Sequence, residues 1–401
     1  MSSQTADVVV LVPGFLGFGR VGEFYYFAER VISVIRGALE MRLGRPVPVV
    51  PCCTLPMGRL AHRQEFLLKW LVSLDAQFGG AQRIHLVGHS AGGVDAELLT
   101  CAESIFHDGG SWGDAARVRS KLASVTAIAS PFHGTYLATS EVARFILSPS
   151  LNLRSARSVA RMAWILARLV PRVAQSADIV RGMASARPET AKFLFQLWQS
   201  RELIDDLSPV SMARLRRRCR SEGRVPVTCF VTTTLTTDQA SREADAFFLE
   251  LRRLTAEHDP AGAPSPAQAA LALLAQHAEA AIRCPEVTTP RFDLGASDGV
   301  VNSACQILDP TNPVGLGGIC VADHADVLGH YDRKDEFIPG PPLNAGLFHS
   351  GSRFGDDQFF ELYKRVAAAI VRAIESSAAV AAVSAVPGAG GANGRASPPE
   401  A

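Results

Sequence analysis

Short, almost wholly apolar runs alternate with longer amphipathic stretches in this sequence, and this alternation limits the possible folds more than any other feature. A strand without a polar face needs cover on both sides, which helices between successive strands provide. The sequence therefore predicts an α/β fold with a mostly parallel central sheet flanked by helices. The predicted strands are residues 8–12, 47–51, 83–87, 125–129 and 225–234, and the helices predicted between the first four are 23–43, 60–78 and 91–106.

Two helical segments interrupt the alternation. Residues 136–212 separate the last two predicted strands, and their clearest helix, 154–173, carries arginines on one face and apolar side chains on the other. An insertion of this kind predicts a lid or cap. A second helical insertion is predicted at 238–290 and a closing helix at 358–374. The sequence thus predicts one domain over 7–375, followed by a disordered tail, 376–401, because the tail has no apolar residue larger than valine.

Composition excludes several classes of protein. The chain has 401 residues, with 40 Lys+Arg against 39 Asp+Glu, so no general positive charge favours a nucleic-acid partner. No apolar run reaches the roughly 18 residues that a membrane span requires. The start of the sequence lacks the pattern of a secretory signal peptide, which predicts a cytoplasmic location. The eight cysteines have no CxxC spacing, so neither a zinc site nor a redox motif is predicted.

The most specific motif is Gly88-His89-Ser90-Ala91-Gly92, which directly follows a predicted strand and precedes a predicted helix. A serine on so tight a turn needs small neighbours, since the adjacent chain passes close to its strained backbone. Such a turn presents the Ser90 hydroxyl above the sheet as a nucleophile. It also directs the backbone N–H of Ala91 toward an oxyanion that forms beside the serine.

A glycine-bearing loop, Val12-Pro13-Gly14-Phe15-Leu16-Gly17, follows the first predicted strand. At this place it can supply a second backbone N–H, that of Phe15, to the oxyanion. The sequence thus predicts Phe15 and Ala91 as the two donors of an oxyanion hole.

A serine nucleophile needs a histidine base and an acid that orients the base. Downstream of the serine, Asp298 lies in a turn before an apolar pair, and His324 follows it. We predict Asp298 as the orienting acid and His324 as the base. The alternatives that stay open are Asp238 for the acid and His330 or His349 for the base.

Five segments together resemble the bacterial true lipases of the Pseudomonas and Burkholderia type, which have the α/β-hydrolase fold. They are residues 10–19, 88–93, 129–135, 297–301 and 324–326, and the resemblance covers about 7–375 in motif order. By this resemblance Ser90, Asp298 and His324 form a catalytic triad, Phe15 and Ala91 donate to the oxyanion, and the segment after Gly134 is a lid. Those lipases usually carry a histidine where this chain has Pro13, and they are usually secreted.

The resemblance also implies a structural calcium ion, with Asp326 as one ligand and a second acid that the sequence does not identify. The triad itself requires no cofactor. Some members join two cysteines at places comparable to Cys219 and Cys305, which we expect to stay thiols in a reducing cytosol.

Carboxylic esters with apolar acyl groups are the substrate class that the resemblance and the amphipathic lid imply. The arginine face of the lid predicts transient contact with a membrane or lipid surface. A thioesterase or an intracellular polyester depolymerase would use the same triad. A catalytically silent lipid-binding module is the alternative outside enzymes, and it predicts decay of the triad motifs, which the sequence does not show.

Overall fold

The structure is a computed structural model of the chain. It describes residues 6–15, 17, 20–21, 24–79, 82–101, 112–140, 143, 202–219, 224–235, 244, 246–256, 266–331 and 350–384. The helix predicted at 154–173, and with it the centre of the predicted lid, lies outside the described residues.

Six strands form a wholly parallel sheet, in the order β4-β1-β5-β6-β7-β8. A separate antiparallel ribbon, β2 with β3, follows the first strand. The strands are β1 (Ala6–Val12), β2 (Arg20–Val21), β3 (Phe24–Tyr25), β4 (Val49–Pro51), β5 (Gln82–His89), β6 (Leu122–Ile128), β7 (Val227–Thr233) and β8 (Leu316–Val321).

Nine α-helices surround the sheet within the described residues. They are α1 (Glu29–Leu43), α2 (Leu60–Gln77), α3 (Ala91–Leu98), α4 (Trp112–Arg119), α5 (Glu202–Asp206), α6 (Pro209–Arg218), α7 (Ala246–Ala256), α8 (Pro266–His277) and α9 (Asp356–Ser384). Helices α7 and α8 lie within 238–290, where the sequence pattern predicts helices.

Strand β1 shows why its sequence carries no polar face. Val9 and Leu11 belong to an apolar cluster with residues of α1 and α9, whereas Val8, Val10 and Val12 belong to a second cluster with residues of α2 and α3. Alternate side chains of a strand point to opposite faces of its sheet, so both faces of β1 are covered by helices. The predicted α/β class, with a mostly parallel sheet between helices, is confirmed.

Several elements differ from the sequence prediction. Strand β3 lies where the start of the helix 23–43 was predicted, and helix α3 ends at Leu98, short of the predicted end at 106. Strand β8 was not predicted, because Gly317 and Gly318 interrupt its apolar pattern. The prediction of a disordered tail is wrong for residues 376–384, which continue helix α9 to Ser384. This stretch is rich in alanine, the strongest helix former, and it extends a helix that already packs on the sheet. The rest of the tail lies outside the described residues.

None of the described helices is both long enough and apolar enough to cross a lipid bilayer.

Candidate active site

The predicted site residues meet where the parallel strands end. Loop Pro13–Phe15 follows β1, Ser90 follows β5, and His324 lies just after β8. Asp298 reaches the same edge because the N–H of Thr234, directly after β7, donates to the Ser297 carbonyl at 2.9 Å. The carboxyl ends of the strands are the usual place for a site in an open parallel sheet.

Ser90 occupies the turn between β5 and α3 with a strained backbone. Its φ of 55° and ψ of −131° lie in a region that residues other than glycine rarely adopt. Such a conformation costs on the order of 1–3 kcal/mol. The Ser90 N–H donates to the Ile128 carbonyl at 2.9 Å, and the Gly93 N–H donates to the Ser90 carbonyl at 3.0 Å, so both sides of the turn are fixed.

Two glycines of the motif are required by close backbone contact. A Cβ added at Gly92 would lie 2.2 Å from the Val12 carbonyl oxygen, and one added at Gly88 would lie 2.4 Å from the Gly92 carbonyl oxygen. Neither neighbour is a side chain that could rotate away. The tight turn that the sequence predicted around Ser90 is therefore possible only with glycine at these positions.

His324 and Asp298 form a hydrogen-bonded pair. His324 Nδ1 lies 2.8 Å from Asp298 Oδ2, and the His324 N–H donates to the Asp298 carbonyl at 3.1 Å. Asp298 is fully buried and His324 is 8% exposed. A carboxylate opposite Nδ1 favours the proton on that nitrogen, which leaves Nε2 free to accept one.

Asp298 is held by donors on both of its oxygens. Oδ1 accepts the N–H groups of Val300 at 3.0 Å and Val301 at 2.8 Å. Oδ2 accepts the Thr232 hydroxyl at 2.6 Å, in addition to the histidine, and Gln306 Nε2 lies 3.4 Å away. Thr232 and Gln306 were not predicted from the sequence, since neither belongs to a motif and both reach Asp298 only through the fold.

The Ser90 hydroxyl has no hydrogen-bond partner among the described residues, so the structure does not bring it within bonding distance of His324. The two residues are neighbours through His89, whose ring centroid lies 4.6 Å from that of His324. Contacts between a nucleophile and its base often tighten only when substrate is bound.

The predicted oxyanion donors lie on either side of the serine. Ala91 begins helix α3, and Phe15 follows Gly14, at which an added Cβ would lie 2.6 Å from Ser90 Cβ. Neither the Phe15 N–H nor the Ala91 N–H donates to an acceptor within the described part of the chain. Two unused backbone donors beside a serine can stabilise a developing negative charge.

A buried ion pair fixes the loop that carries Phe15. Arg63 on α2 and Asp95 on α3 have fully buried side chains, with Arg63 Nη2 2.6 Å from Asp95 Oδ2. The same Nη2 donates to the Pro13 carbonyl at 3.0 Å. Burial raises the pKa of Asp95, and Arg63 opposes that shift. This pair was not predicted from the sequence. The sequence feature that could have indicated the pair is a charged residue, Arg63, on the apolar stripe of α2 between Leu60 and Leu67.

Comparison with known proteins agrees with the predicted resemblance to lipases and with the observed fold. The chain matches no protein-family model. It is 34% identical to a triacylglycerol lipase of Pseudomonas fragi over 137 residues, which cover 34% of this chain and 39% of that lipase. The chain therefore aligns with less than half of that relative's length. This match confirms the resemblance to Pseudomonas lipases that the motifs indicated.

Among solved structures, lipase 1 of Pelosinus fermentans is similar over 92% of this chain and 99% of that chain, with a TM-score of 0.50 and 16% identity. The chain has the α/β-hydrolase fold. A lipase of Staphylococcus hyicus is similar over 94% of this chain and 98% of that chain, with a TM-score of 0.47 and 13% identity.

Within this α/β-hydrolase fold, the described residues do not assemble a calcium site around Asp326. Its Oδ2 accepts the Asp323 N–H at 3.0 Å and the Ser352 hydroxyl at 3.1 Å. No group of three or more histidine, cysteine or acidic side chains that could hold a metal occurs in the part of the chain that was searched. Calcium takes six to eight oxygen ligands, and the role of Asp326 as one of them stays a prediction.

Three residues were left open as alternative members of the triad, and the structure describes one of them, His330. The ring of His330 is part of the packing of the small ribbon, because its Nε2 lies 3.0 Å from the Tyr25 carbonyl and 3.2 Å from the Tyr26 carbonyl. Asp238 and His349 lie outside the described residues.

Cys219 and Cys305 are free thiols in this hydrolase fold and belong to different apolar clusters.

Proposed function

We propose that this protein is a serine carboxylic-ester hydrolase, of the lipase or esterase type, that cleaves esters with apolar acyl groups. The observation that carries the proposal is the His324–Asp298 pair, buried at the same sheet edge as the strained Ser90 turn. The name of the Pseudomonas relative and the hydrolase fold support the same chemistry.

In the proposed reaction, His324 Nε2 takes the proton of the Ser90 hydroxyl as Ser90 Oγ attacks the ester carbonyl carbon. The N–H groups of Phe15 and Ala91 hold the oxyanion of the tetrahedral intermediate. Collapse of that intermediate expels the alcohol, which takes the proton from His324, and leaves an acyl group on Ser90. Water then attacks the acyl-enzyme with His324 again as base, which frees the acid and restores the serine.

Asp298 would orient His324 and stabilise the imidazolium that forms. Its carboxylate is fully buried and accepts two backbone N–H groups and the Thr232 hydroxyl besides the histidine. These donors keep the carboxylate in one position, so the imidazole opposite it is held in one orientation.

The test is hydrolysis of p-nitrophenyl esters from short to long acyl chains by the parent protein and by Ser90→Ala, His324→Ala and Asp298→Ala. We expect kcat to fall by about 10⁶-fold for the serine and histidine variants and by about 10⁴-fold for the aspartate variant. His277→Ala is the matched control, because this histidine lies on α8 and its ring, within the described residues, bonds the Leu273 carbonyl of its own helix.

The control should retain the parent's kcat. A folded parent that is as inert as Ser90→Ala on every ester would overturn the ester-hydrolase proposal. Thioesters and polyesters are then the substrates to try next, and inertness on these too would favour the silent lipid-binding module.

Apolar acyl groups are proposed because Phe15, next to the nucleophile, leaves its aromatic side chain 38% exposed. Contact of the lid with a membrane or lipid surface belongs to the same proposal. Rates on short soluble esters against emulsified long-chain esters would test it. The cytoplasmic location, the absence of a nucleic-acid partner and the structural calcium ion remain predictions.

A further inference from the structure

Two buried side chains, Tyr26 and His89, lie between the loop before Phe15 and the backbone of His324. Tyr26 is 6% exposed and His89 is 1% exposed. Tyr26 Oη lies 2.8 Å from His89 Nδ1, and His89 Nε2 lies 2.9 Å from the His324 carbonyl oxygen. At the other end of this chain of contacts, Tyr26 Oη lies against Gly14, because a Cβ added at Gly14 would lie 2.8 Å from it.

The hydrogens of this chain can be assigned from its ends. A carbonyl oxygen only accepts, so His89 Nε2 must donate its proton to the His324 carbonyl. Burial holds the pKa of His89 well below its ordinary value, and the neighbouring His324 lowers it further, so the imidazole is neutral. His89 Nδ1 is then an acceptor and receives a hydrogen bond from the Tyr26 hydroxyl. Burial likewise raises the pKa of Tyr26, so the phenol keeps that proton.

One directed series of hydrogen bonds therefore runs from the Tyr26 hydroxyl, which lies against Gly14, through His89 to the His324 carbonyl. It joins the loop that carries one oxyanion donor to the turn that carries the base. His89 also contacts the ring of His324, at 4.6 Å between centroids and an angle of 48° between the planes. His89 thus contacts both the backbone and the imidazole of His324, and the hydrogen bond from Tyr26 fixes the orientation of His89.

We propose that Tyr26 and His89 are positioning residues that hold the Gly14–Phe15 loop and His324 at a fixed separation, so that both act on one tetrahedral intermediate. The inference rests on the proposed ester hydrolysis, and neither side chain touches the reacting atoms in it. A misplacement of about 1 Å in such an arrangement can reduce the rate about a hundredfold.

Tyr26→Phe is the first test, because it removes one hydroxyl and keeps the ring. We expect kcat on p-nitrophenyl butyrate to fall about tenfold to a hundredfold, with KM changed less than about twofold. Tyr331→Phe is the matched control. Tyr331 is also buried, and its hydroxyl donates to Asp356, away from the series. The control should lose a similar amount of thermal stability and keep its kcat.

The second test compares His89→Gln with His89→Leu. Glutamine keeps an amide N–H that can reach the His324 carbonyl, whereas leucine fills a similar volume without a donor. The glutamine variant should retain more of the parent's kcat than the leucine variant. Equal kcat in the two variants, or a Tyr26→Phe variant as active as Tyr331→Phe, would overturn the positioning role.

A third readout does not depend on activity. In protein labelled with ¹⁵N-histidine, His89 assigned through His89→Gln should have a protonated Nε2 and an unprotonated Nδ1 at neutral pH. Its Nδ1 resonance should move in Tyr26→Phe and stay in Tyr331→Phe. A protonated His89 Nδ1 overturns the inference even if the enzyme is active. If these spectra are observed in a protein that hydrolyses no substrate, only the ester-hydrolase proposal is overturned, because the series of hydrogen bonds is then present all the same.

Discussion

The strain at Ser90 is the residue-scale feature that most clearly links local structure to function. Its φ of 55° would suit glycine, yet the residue carries a side chain. Hydrogen bonds to Ile128 and from Gly93 hold the turn, and the Ser90 hydroxyl stands beside two backbone donors that find no acceptor among the described residues. A strained backbone that its surroundings hold in place is common at functional sites.

Ser90→Gly should therefore be more stable than Ser90→Ala, although both lack the hydroxyl. Glycine relieves strain of the order of 1–3 kcal/mol, and its added freedom in the unfolded chain costs about 0.5–1 kcal/mol. We expect a net gain of about 1 kcal/mol in the free energy of unfolding, measured by urea titration. An alanine variant as stable as the glycine variant would mean that the turn is not strained.

Motif spacing found some of the site residues and missed others for a physical reason. Asp298 and His324 follow turns whose local sequence marks them, and the structure joins them by a hydrogen bond. Thr232 lies inside a strand, Tyr26 follows one, and Arg63 lies inside a helix. Their partners are far away along the chain, so only the fold brings them to the site. No pattern of neighbouring residues indicates such contacts.

At the scale of elements, the junction of β5 and α3 depends on close backbone packing against β1. A Cβ at Gly92 would meet the Val12 carbonyl oxygen at 2.2 Å and the Pro13 carbonyl oxygen at 2.7 Å. Helix α3 could take a side chain there only by moving away from the loop that carries Phe15. This contact couples the position of the helix to the position of the predicted oxyanion donors.

Gly92→Ala should destabilise the fold by about 1–3 kcal/mol and reduce kcat, because a backbone contact cannot be relieved by rotation of a side chain. Gly37→Ala in α1 is the opposite control. A Cβ there has nothing within 4 Å, so alanine should stabilise the helix by about 0.5–1 kcal/mol and leave kcat unchanged. Thermal unfolding and ester hydrolysis would measure both variants. A Gly92→Ala protein with parental stability would show that the junction can adjust.

The elements themselves were predictable to the extent that their apolar pattern is regular. Strand β5 contains a short run rich in apolar residues and helix α2 has apolar residues at helical spacing, and both lie within a few residues of their predicted bounds. Strand β8 was missed because two glycines lie in its first half, and it is held by pairing with β7. Helix α9 runs past its predicted end because alanine favours a helix even where no large side chain is left to bury.

At the scale of the whole molecule, the two ends of the parallel strands differ in the kind of polar group they hold. The carboxyl edge holds the candidate site, and the opposite edge holds a buried charge network around Asp7. Asp7 Oδ1 lies 2.9 Å from Arg83 Nε and 3.1 Å from His85 Nε2, and Arg45 forms a further ion pair with Asp7. Arg83 Nη1 also donates to the Ile374 carbonyl at 3.5 Å. One carboxylate thus links β1 to β5, to the chain after α1 and to α9.

This network should make stability depend on pH without affecting catalysis. Burial alone would raise the pKa of Asp7, but hydrogen bonds from His85, Arg83 and Arg45 outweigh it and hold the pKa well below its usual range. A depressed pKa in the folded state means that the ionised group stabilises the protein above its unfolded pKa of about 4. That contribution is lost as the pH falls from there toward the folded pKa.

Asp7→Asn should therefore be less stable than the parent at pH 7 and lose less further stability between pH 5 and pH 3, as measured by urea midpoints across that range. Its kcat at pH 7 should equal that of the parent, because the substitution lies at the far edge of the sheet from Ser90. Glu361→Gln, which removes an exposed partner of Arg365, is the control and should follow the parent's curve. Parallel curves for Asp7→Asn and the parent would show that other carboxylates determine the acid sensitivity of the fold.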